Sequence, residues 1–331
     1  MLRRRGEGQP VASPPVRRPR FVLALALLVV LAACGSSSSA KVSTKAGAAG
    51  AVPTVTGDVG ANPTIVIPSG AAPKTLVSKV VTEGSGPVVA KGDLLVANYI
   101  GQVWATGKTF DSSFERGQPA SFSIGVGEVV KGWDEGLVGA KAGSRVLLVI
   151  PPEKGYGAKG QPDAGIGATD TLVFVVDVVS SFGKTSSASG TEKPQSNSNL
   201  PTVKAAPGAK PVITMPAGQA APTTLSATTL IEGAGPVVKA GQQIVVQYVG
   251  VTWATGKQFD ASWDRSNPAA FGIGQGQLIP AWDESLPGVK VGSRVLLVVP
   301  PEKGYGANGQ PKAGITGTDT LVFVLDVLAA F

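Results

Sequence analysis

The side chains that most often carry covalent or metal chemistry are nearly absent from this chain of 331 residues. It contains no histidine and a single cysteine, Cys34. Neither a Ser-His-Asp nor a Cys-His nucleophilic site can therefore be assembled. A structural zinc site also lacks the several cysteine or histidine ligands that it needs. Any reaction must use carboxylates, hydroxyls, aromatic rings or backbone groups, and we expect neither a metal nor another cofactor.

Two further motifs fit no familiar chemistry. A Gly-Lys-Thr triplet suggests a phosphate-binding loop, but five residues separate Gly101 from Gly107 where that loop has four, and the triplet joins two predicted strands. Asp134 and Glu135 are adjacent on a predicted helix and diverge, while Asp111 stands alone. No carboxylate pair with glycosidase geometry follows, and solvated or capping roles are favoured.

What remains is a set of aromatic side chains flanked by glycine and proline, and the set occurs twice. On composition alone, these residues fit a hydrophobic core as well as a binding pocket. The two sets are Tyr99, Phe110, Phe122, Trp133, Tyr156 and Phe174, then Tyr248, Phe259, Phe271, Trp282, Tyr305 and Phe323.

These aromatic residues belong to an internal duplication. The segment 104–108 returns as 253–257, and the segment 151–157 returns as 300–306. The offset of 149 residues is constant across 73–182, so the repeat contains no insertion or deletion there. Repeats of this length indicate tandem globular domains, because solenoid repeats are roughly 20–50 residues long.

Hydrophobic patterning predicts mostly β-structure within each repeat. In the first repeat, β-branched and apolar runs predict strands over 94–104, 120–124, 145–150 and 171–179. The one helical segment is predicted over about 131–138. Antiparallel strands with one short helix across their concave face predict an α+β half-barrel, present in two tandem copies.

The chain begins with a leader. A stretch with six arginines precedes an apolar run from Phe21 to Ala33, which ends at Cys34. This order is typical of a secretory signal, and the run is shorter than the roughly 20 residues of a spanning helix. The sequence around Cys34 resembles a bacterial lipobox, which implies that this cysteine is lipidated. An ordinary signal with a chance cysteine is the alternative, and export by the general or the twin-arginine route stays open.

The net charge of +7 comes mostly from this leader. It holds six of the 29 Lys and Arg residues and one of the 22 Asp and Glu residues, so the charges beyond it nearly balance. No basic stripe remains, and we expect no nucleic-acid partner.

Composition also sets the predicted boundaries. Segments rich in small and polar residues predict a flexible tether and a flexible linker, because such sequences bury little apolar surface. The predicted parts are a signal peptide at 1–33, the tether at 34–61, the first domain at 62–182, the linker at 183–209 and the second domain at 210–331.

Four ordered blocks in each repeat resemble the FKBP-type peptidyl-prolyl isomerases. In the first repeat they are Tyr99 followed by Gly107-Lys108-Thr109-Phe110-Asp111, then Val129 to Asp134, then Gly155-Tyr156-Gly157, then Thr171 to Phe174. The second repeat offers Tyr248, Phe259-Asp260, Leu278-Ile279, Trp282-Asp283, Tyr305-Gly306 and Leu321 to Phe323. The resemblance covers about 75–182 and 224–331.

The resemblance implies a proline-binding pocket in each repeat. Trp133 and Trp282 would form the floor beneath the proline ring. The walls would be Tyr99, Phe110, Val129, Val130, Ile166 and Phe174 in one pocket, and Tyr248, Phe259, Leu278, Ile279, Ile315 and Phe323 in the other. Tyr156 and Tyr305 would donate a hydrogen bond to a substrate carbonyl, and the backbone N–H groups of Val130 and Ile279 would hold the chain beside the proline. Asp111 and Asp260 would lie near the twisting amide, held by Tyr99 with Arg116 and by Tyr248 with Arg265.

The expected protein is a tandem FKBP-type isomerase and a bacterial lipoprotein of actinobacterial type, anchored on the outer face of the cytoplasmic membrane. It would act as a monomer on X-Pro bonds of exported proteins. Macrolides would inhibit it weakly, because Ala120 and Ala269 replace an aromatic of the family, and Gln161 and Gln310 replace a common histidine. The alternatives are a proline-segment binding module or holdase with little turnover, and an envelope scaffold that uses one domain as a spacer.

Overall fold

A β-hairpin begins the part of the chain that the computed structural model describes, residues 51–331. It consists of β1 (Thr54–Thr56) and β2 (Thr64–Val66). Val55 and Ile65 are register partners in this hairpin, and both pack against the outer face of the sheet that follows. The residues on either side of them point to solvent, as the two-residue period of a strand requires.

The first repeat forms an antiparallel sheet in the order β3-β7-β8-β4-β5, with β6 also paired to β4. Its strands are β3 (Val77–Thr82), β4 (Leu94–Val103), β5 (Thr109–Ser112), β6 (Ala120–Ser123), β7 (Arg145–Ile150) and β8 (Leu172–Phe182). Strand β7 is buried along its whole length. The reason is that its inner face packs on the core, while its outer face packs under the hairpin.

Two short helices complete the first repeat, α1 (Ser113–Arg116) and α2 (Lys131–Gly136), with 3-10 turns at Pro152–Lys154, Gly157–Lys159 and Pro162–Ala164. Helix α2 contacts β7 and buries Trp133 against the concave face of the sheet. It ends two residues before the predicted end. Its C-cap Leu137 still donates its N–H to the Trp133 carbonyl, and the chain turns away at Gly139, which has a φ of 93°.

The second repeat has the same plan with one additional strand. Its elements are β9 (Gly190–Glu192), β10 (Thr202–Lys204), β11 (Val212–Thr214), β12 (Ser226–Gly233), β13 (Gln243–Thr252), β14 (Gln258–Ala261), β15 (Ala269–Gly272), α3 (Pro280–Ser285), β16 (Arg294–Val299) and β17 (Leu321–Ala330), with 3-10 turns at Trp263–Arg265, Pro301–Lys303, Gly306–Asn308 and Pro311–Ala313. The sheet order is β14-β13-β17-β16-β12-β9, with β15 paired to β13. The hairpin β10–β11 covers the outer face as β1–β2 does in the first repeat.

Two segments that the sequence predicts to be flexible belong to the fold, and this corrects the predicted tether and linker. Residues 51–61 contain β1, and residues 183–209 contain β9 and β10. Strand β9 extends the second sheet by pairing with residues 231–233. Few apolar residues suffice, because each hairpin turns only one face inward and the sheet supplies backbone hydrogen bonds to β9. The signal peptide, Cys34 and the rest of the predicted tether lie outside the described residues.

The two repeats lie in one compact unit of the chain and contact each other directly. Val96 of β4 and Val245 of β13 share a small apolar cluster. Beside it, the Ser121 hydroxyl donates a hydrogen bond to Gln243 Oε1 at 2.9 Å. Since β6 and β13 both take part, the contact joins the two sheets themselves.

Candidate active site

Each repeat contains an open cavity between the concave face of its sheet and its helix. In the second repeat the cavity has a volume of ≈ 290 Å³ and is lined by Tyr248, Phe259, Asp260, Phe271, Gln277, Leu278, Ile279, Trp282, Tyr305 and Phe323. In the first repeat it has ≈ 650 Å³ and is lined by Phe122, Gly127, Glu128, Val129, Val130, Lys131, Trp133, Gly155, Tyr156 and Phe174. The first lining adds Gly127, Lys131 and Gly155, and it lacks the counterparts of Tyr248, Phe259 and Asp260.

Trp133 lies at the base of the first cavity and is only 3% exposed. Its ring makes edge contacts with Tyr99, Phe122 and Phe174, at centroid distances of 5.3, 5.1 and 5.3 Å. Phe110 extends the cluster through Phe174, at 5.4 Å. The structure therefore brings the predicted floor and aromatic walls together. Edge contacts of this kind hold aromatic rings in fixed relative orientations.

Trp282 has the same surroundings in the second repeat. Its ring contacts Tyr248 at 5.4 Å and Phe323 at 5.5 Å, both edge to face. The indole Nε1 atoms of Trp133 and Trp282 are buried without a hydrogen-bond partner among residues 51–331. Each floor is therefore an apolar ring whose N–H group is buried without a partner in the described part of the chain.

The loop before each helix is held by an aspartate. Asp134 of α2 accepts hydrogen bonds from the N–H groups of Gly125, at 2.6 Å, and Gly127, at 2.8 Å. Both glycines have positive φ, so the loop reverses tightly and brings Val129 and Val130 to the cavity. Asp134 thus fixes the loop and does not cap the helix, whose N-cap residue Val130 has no side-chain cap hydrogen bond.

Asp111 is the acidic group nearest the first aromatic cluster. It accepts hydrogen bonds from the Tyr99 hydroxyl and from Arg116 Nη1, and Arg116 Nη2 donates to the Tyr99 hydroxyl at 2.8 Å. Strand β5 carries the aspartate, and α1 carries the arginine, with its Ser112 cap accepting the N–H of Glu115 at 3.3 Å. The predicted grouping of these three side chains is what the structure shows.

The second repeat reproduces this grouping. The Tyr248 hydroxyl donates to Asp260 Oδ2 at 2.5 Å, and Arg265 Nη2 donates to the same hydroxyl at 2.6 Å. A 3-10 turn replaces α1, and it ends at Ser266, which has a φ of 58°. The equivalent residue of the first repeat is Gly117 with a φ of 70°, so both turns need a left-handed residue to place the arginine.

The charges of this group are fixed by their neighbours. Burial, followed by the hydrogen bond to Asp111, raises the pKa of Tyr99 to about 12, so its hydroxyl keeps its proton. Burial alone would raise the pKa of Asp111, but hydrogen bonds from Tyr99 and Arg116 outweigh it and hold the pKa below its usual value. The group therefore presents a carboxylate that already has two donors.

Tyr156 lies at the rim of the first cavity, 40% exposed, directly before the 3-10 turn Gly157–Lys159. Its pKa is raised by burial first and then by the negative charge of Asp111. In the second repeat Asp260 and Tyr305 line one cavity, whereas in the first repeat Asp111 lies beside the cavity that Tyr156 lines. Tyr156 can therefore donate its proton in a hydrogen bond to a bound carbonyl, and Tyr305 has the same place and the same causes of its raised pKa.

Four predicted wall residues are placed differently. Tyr99 and Phe110 contact the aromatic cluster of the first repeat without lining its cavity, and two isoleucines lie deeper. Ile166 and Ile315 pack in the hydrophobic cores at 2% and 3% exposure. Neither is among the residues that line the cavities. Each exchanges backbone hydrogen bonds with a glutamine, Gln161 or Gln310, and so closes the small loop after the rim tyrosine.

Two aromatic lining residues are absent from the predicted walls. Phe122 and Phe271 line the cavities and contact the floor tryptophans at 5.1 and 5.4 Å. A signal for them was present in the sequence. They lie two residues after Ala120 and Ala269, so strand alternation places each pair on the same face.

The order of these groups along the chain is that of one known family, in both repeats. Residues 86–179 and 235–328 each match the FKBP-type peptidyl-prolyl cis-trans isomerase family. The chain belongs to this family. The predicted tandem FKBP-type enzyme and its α+β FKBP-like fold are thereby confirmed.

Two bacterial relatives of this isomerase each match a stretch the length of one repeat. The FK506-binding protein of Streptomyces anulatus is 43% identical over 120 residues, which is 36% of this chain and 96% of that protein. The probable FK506-binding protein of Corynebacterium glutamicum is 42% identical over 123 residues, 37% of this chain and 98% of that protein. Among solved structures, FkpA from Escherichia coli is 44% identical over 32% of this chain and 48% of that chain, with a TM-score of 0.30.

The two cavities of this isomerase differ at their rims. Glu128 and Lys131 line the first cavity, and their equivalents in the second repeat are the uncharged Gln277 and Pro280. Between residues 51 and 331, no group of three or more acidic or cysteine side chains is placed to hold a metal ion. Over the same span, no helix has the length and apolarity to cross a membrane.

Proposed function

We propose that the chain is a lipid-anchored isomerase that accelerates cis–trans exchange of X-Pro bonds in exported proteins, outside the cytoplasmic membrane. The observation that carries this proposal is that both repeats keep a complete cavity. Each has a tryptophan floor, aromatic walls and a rim tyrosine, with an aspartate held by a tyrosine and an arginine in it or beside it.

The chemistry needs no proton transfer. Rotation about a peptide bond faces a barrier of about 18–20 kcal/mol because resonance makes the planar amide stable. That resonance separates charge, and twisting the bond reduces the separation. An apolar cavity over Trp133 therefore disfavours the planar amide relative to the twisted one, while a hydrogen bond from Tyr156 holds the neighbouring carbonyl. Uncatalysed X-Pro exchange takes tens to hundreds of seconds, so acceleration matters for folding.

The proposed location is supported by the leader. A basic stretch, an apolar run and Cys34 follow one another as in a lipoprotein signal. A diacylglycerol on Cys34 supplies two acyl chains, which anchor stably where a single chain does not. Substrates would then be proteins that fold after export.

The cavities are also proposed to take macrolides of the FK506 class. Two relatives are named for that binding. Ala120 and Ala269 pack beside the aromatic clusters and leave the rim wider than an aromatic residue would. We therefore expect weaker macrolide affinity than in relatives that have an aromatic there.

The test is an X-Pro isomerisation assay on the full chain with Asp111→Val, Asp260→Val and both changes together. Each single variant should keep about half of the turnover, and the double variant should lose most of it. Thermal unfolding of the same variants separates a catalytic loss from a folding defect.

Three results would contradict the proposal. A wild-type chain that binds proline peptides without accelerating their exchange would be a binding module or holdase. If one single variant abolished all activity, the other repeat would be a spacer. If Asp111→Val kept full turnover but unfolded early, the aspartates would be structural only.

A further inference from the structure

In the first repeat, a buried arginine donates hydrogen bonds from all three of its guanidinium nitrogens. Arg145 donates from Nε and Nη2 to the Asp177 carboxylate, at 2.6 and 2.7 Å. Its Nη1 donates to the carbonyl of Gly57, and its Nη2 also donates to the carbonyl of Ala61, both at 2.7 Å. The loop between β1 and β2 thus supplies two acceptor oxygens to a side chain that is fully buried.

The counterpart in the second repeat has only half of these contacts. Arg294 donates from Nε and Nη2 to Asp326, at 2.6 and 2.7 Å. Within residues 51–331 its Nη1 has no acceptor, although the side chain is just 6% exposed. Instead of a covering loop, Arg294 lines a cavity of ≈ 310 Å³.

The sequence explains why the loop of the second hairpin does not supply its carbonyl oxygens to Arg294. Gly57 has a φ of 102°, which an L side chain rarely adopts, and its equivalent in the second hairpin is Ala205. The second loop turns elsewhere, since Gly208 donates its N–H to Ser187 Oγ at 3.0 Å. Asp326 accepts the N–H of Ala188 at 2.9 Å instead. The segment that precedes β9 has therefore taken the place of the hairpin loop.

Cationic side chains surround the cavity. Lys193, Lys204 and Arg294 line it, against one acidic residue, Glu192. Lys193 pairs with Glu232 at 2.5 Å, whereas Lys204 takes part in no ion pair between residues 51 and 331.

The first repeat has no such charge at the matching position, where Thr56 stands in place of Lys204. There the guanidinium binds neutral carbonyl oxygens. The second repeat instead offers a free guanidinium nitrogen beside added positive charge. In the described part of the chain, Arg294 Nη1 is not among the buried side-chain atoms that lack a partner, so it is accessible to a ligand, and an ionised acceptor gives the strongest hydrogen bond to it.

We propose that the cavity beside Arg294 binds a small oxyanion, a carboxylate or a phosphate group. The site is separate from the proline cavities, because it shares no lining residue with either. The anion would accept from Arg294 of the sheet, Lys193 after β9 and Lys204 of the hairpin. It would thereby tie the segment between the repeats to the second domain, so occupancy should stabilise that domain.

The test is titration of the full chain with inorganic phosphate and, separately, with acetate, followed by NMR. The shifts should centre on the Arg294 side chain and on the amides of Lys193 and Lys204, and the relative affinities identify the preferred anion. The temperature of thermal unfolding should rise in the presence of the anion that binds more tightly. Lys204→Thr, which introduces the residue of the first repeat, should weaken binding about threefold, as expected for one exposed ion pair.

Matched controls decide the outcome. Lys239→Thr removes the same charge at an exposed position outside the cavity and should leave affinity unchanged. Arg294→Leu combined with Asp326→Leu removes the guanidinium without leaving a buried charge and should abolish the response. Equal effects of the two lysine variants, shifts spread over exposed lysines, or no response to either anion would overturn the proposal.

Discussion

Gly132 of α2 lies directly against the side chain of Ile150 in β7. A Cβ placed on Gly132 would come within 2.6 Å of Ile150 carbon atoms, and Ile150 is fully buried. The equivalent pair in the second repeat is Ala281 and Val299. The second repeat thus has one methyl group more on the helix and one fewer on the strand. Both pairs fill the space between helix and sheet with the same number of carbon atoms.

This relationship predicts that Gly132→Ala destabilises the first repeat. The added methyl has no room, and overpacking of a core costs about 1–3 kcal/mol. Replacement of a helical glycine by alanine returns up to about 1 kcal/mol, so a net loss of up to about 2 kcal/mol is expected in urea unfolding. The floor tryptophan is the next residue, so turnover from this cavity should fall as well.

Ile150→Val in the Gly132→Ala background is the matched control. It recreates the pair found in the second repeat and should recover most of the lost stability. By itself Ile150→Val should cost about 0.5–1.5 kcal/mol, because it leaves a void. Additive losses in the double variant would contradict the size exchange.

Ser266 provides a second stability prediction. It has a φ of 58°, a region that costs a non-glycine residue roughly 1–2 kcal/mol. Ser266→Gly should therefore raise the free energy of unfolding by about 0.5–1 kcal/mol, after the flexibility of glycine is allowed for. The reciprocal Gly117→Ser should lower it. Unchanged stability in both variants would show that the two turns relax freely.

The carboxyl of Asp111 predicts a particular pH dependence. Its pKa in the folded chain is below its usual value, despite burial, because of hydrogen bonds from Tyr99 and Arg116. A carboxyl of this kind stabilises the folded state above its unfolded pKa of about 3.9, and the contribution is lost as the pH falls through the folded pKa.

The stability difference between the wild type and Asp111→Asn should therefore be constant from pH 7 to about pH 4 and shrink below it. Thermal unfolding across this range measures it, with the exposed Glu153→Gln as a control for general loss of charge. A difference that grows on acidification would show that Asp111 is held in its protonated form.

The proposed anchor predicts that Cys34→Ser releases the chain from the membrane or leaves its signal uncleaved. The thiol is the attachment point in the proposal, and the chain has no other cysteine. Fractionation of cells into membrane and soluble portions measures the effect, with Ser36→Ala as a control beside the same site. Tight retention of the serine variant would mean that something else anchors the chain.

Local patterning predicted much of the sheet. The run Arg145–Ile150 matches β7 at both ends, and the aromatic positions near Trp133 meet in space as the family resemblance implies. These features depend on residue types that act through short sequence separation or through a repeated motif. These features are present in both repeats, so the same pattern predicts the sheet and the aromatic cluster of each.

The hairpins and β9 could not be predicted in the same way. Strand β1 contains one inward side chain, Val55, and β9 contains none that is buried. Their order comes from hydrogen-bond donors on the distant sheet, such as the Arg145 guanidinium, which donates to the Gly57 carbonyl. Composition carries no trace of such contacts, and it therefore favoured flexible segments. The predicted place of Ile166 in the cavity wall was wrong for a similar reason. Its backbone pairs with Gln161, and its side chain packs in the core.

Strand β9 also sets an order of assembly, because synthesis runs from the N-terminus. The first sheet has all its strands once Phe182 has been made. The second sheet takes β9 from the segment made just before it, and its central strand β17 is made last. The edge strand β9 and the hairpin β10–β11 have thus already been synthesised when β12 emerges. A chain that stops within the second repeat still contains one finished sheet, whereas the second closes only with the last residues.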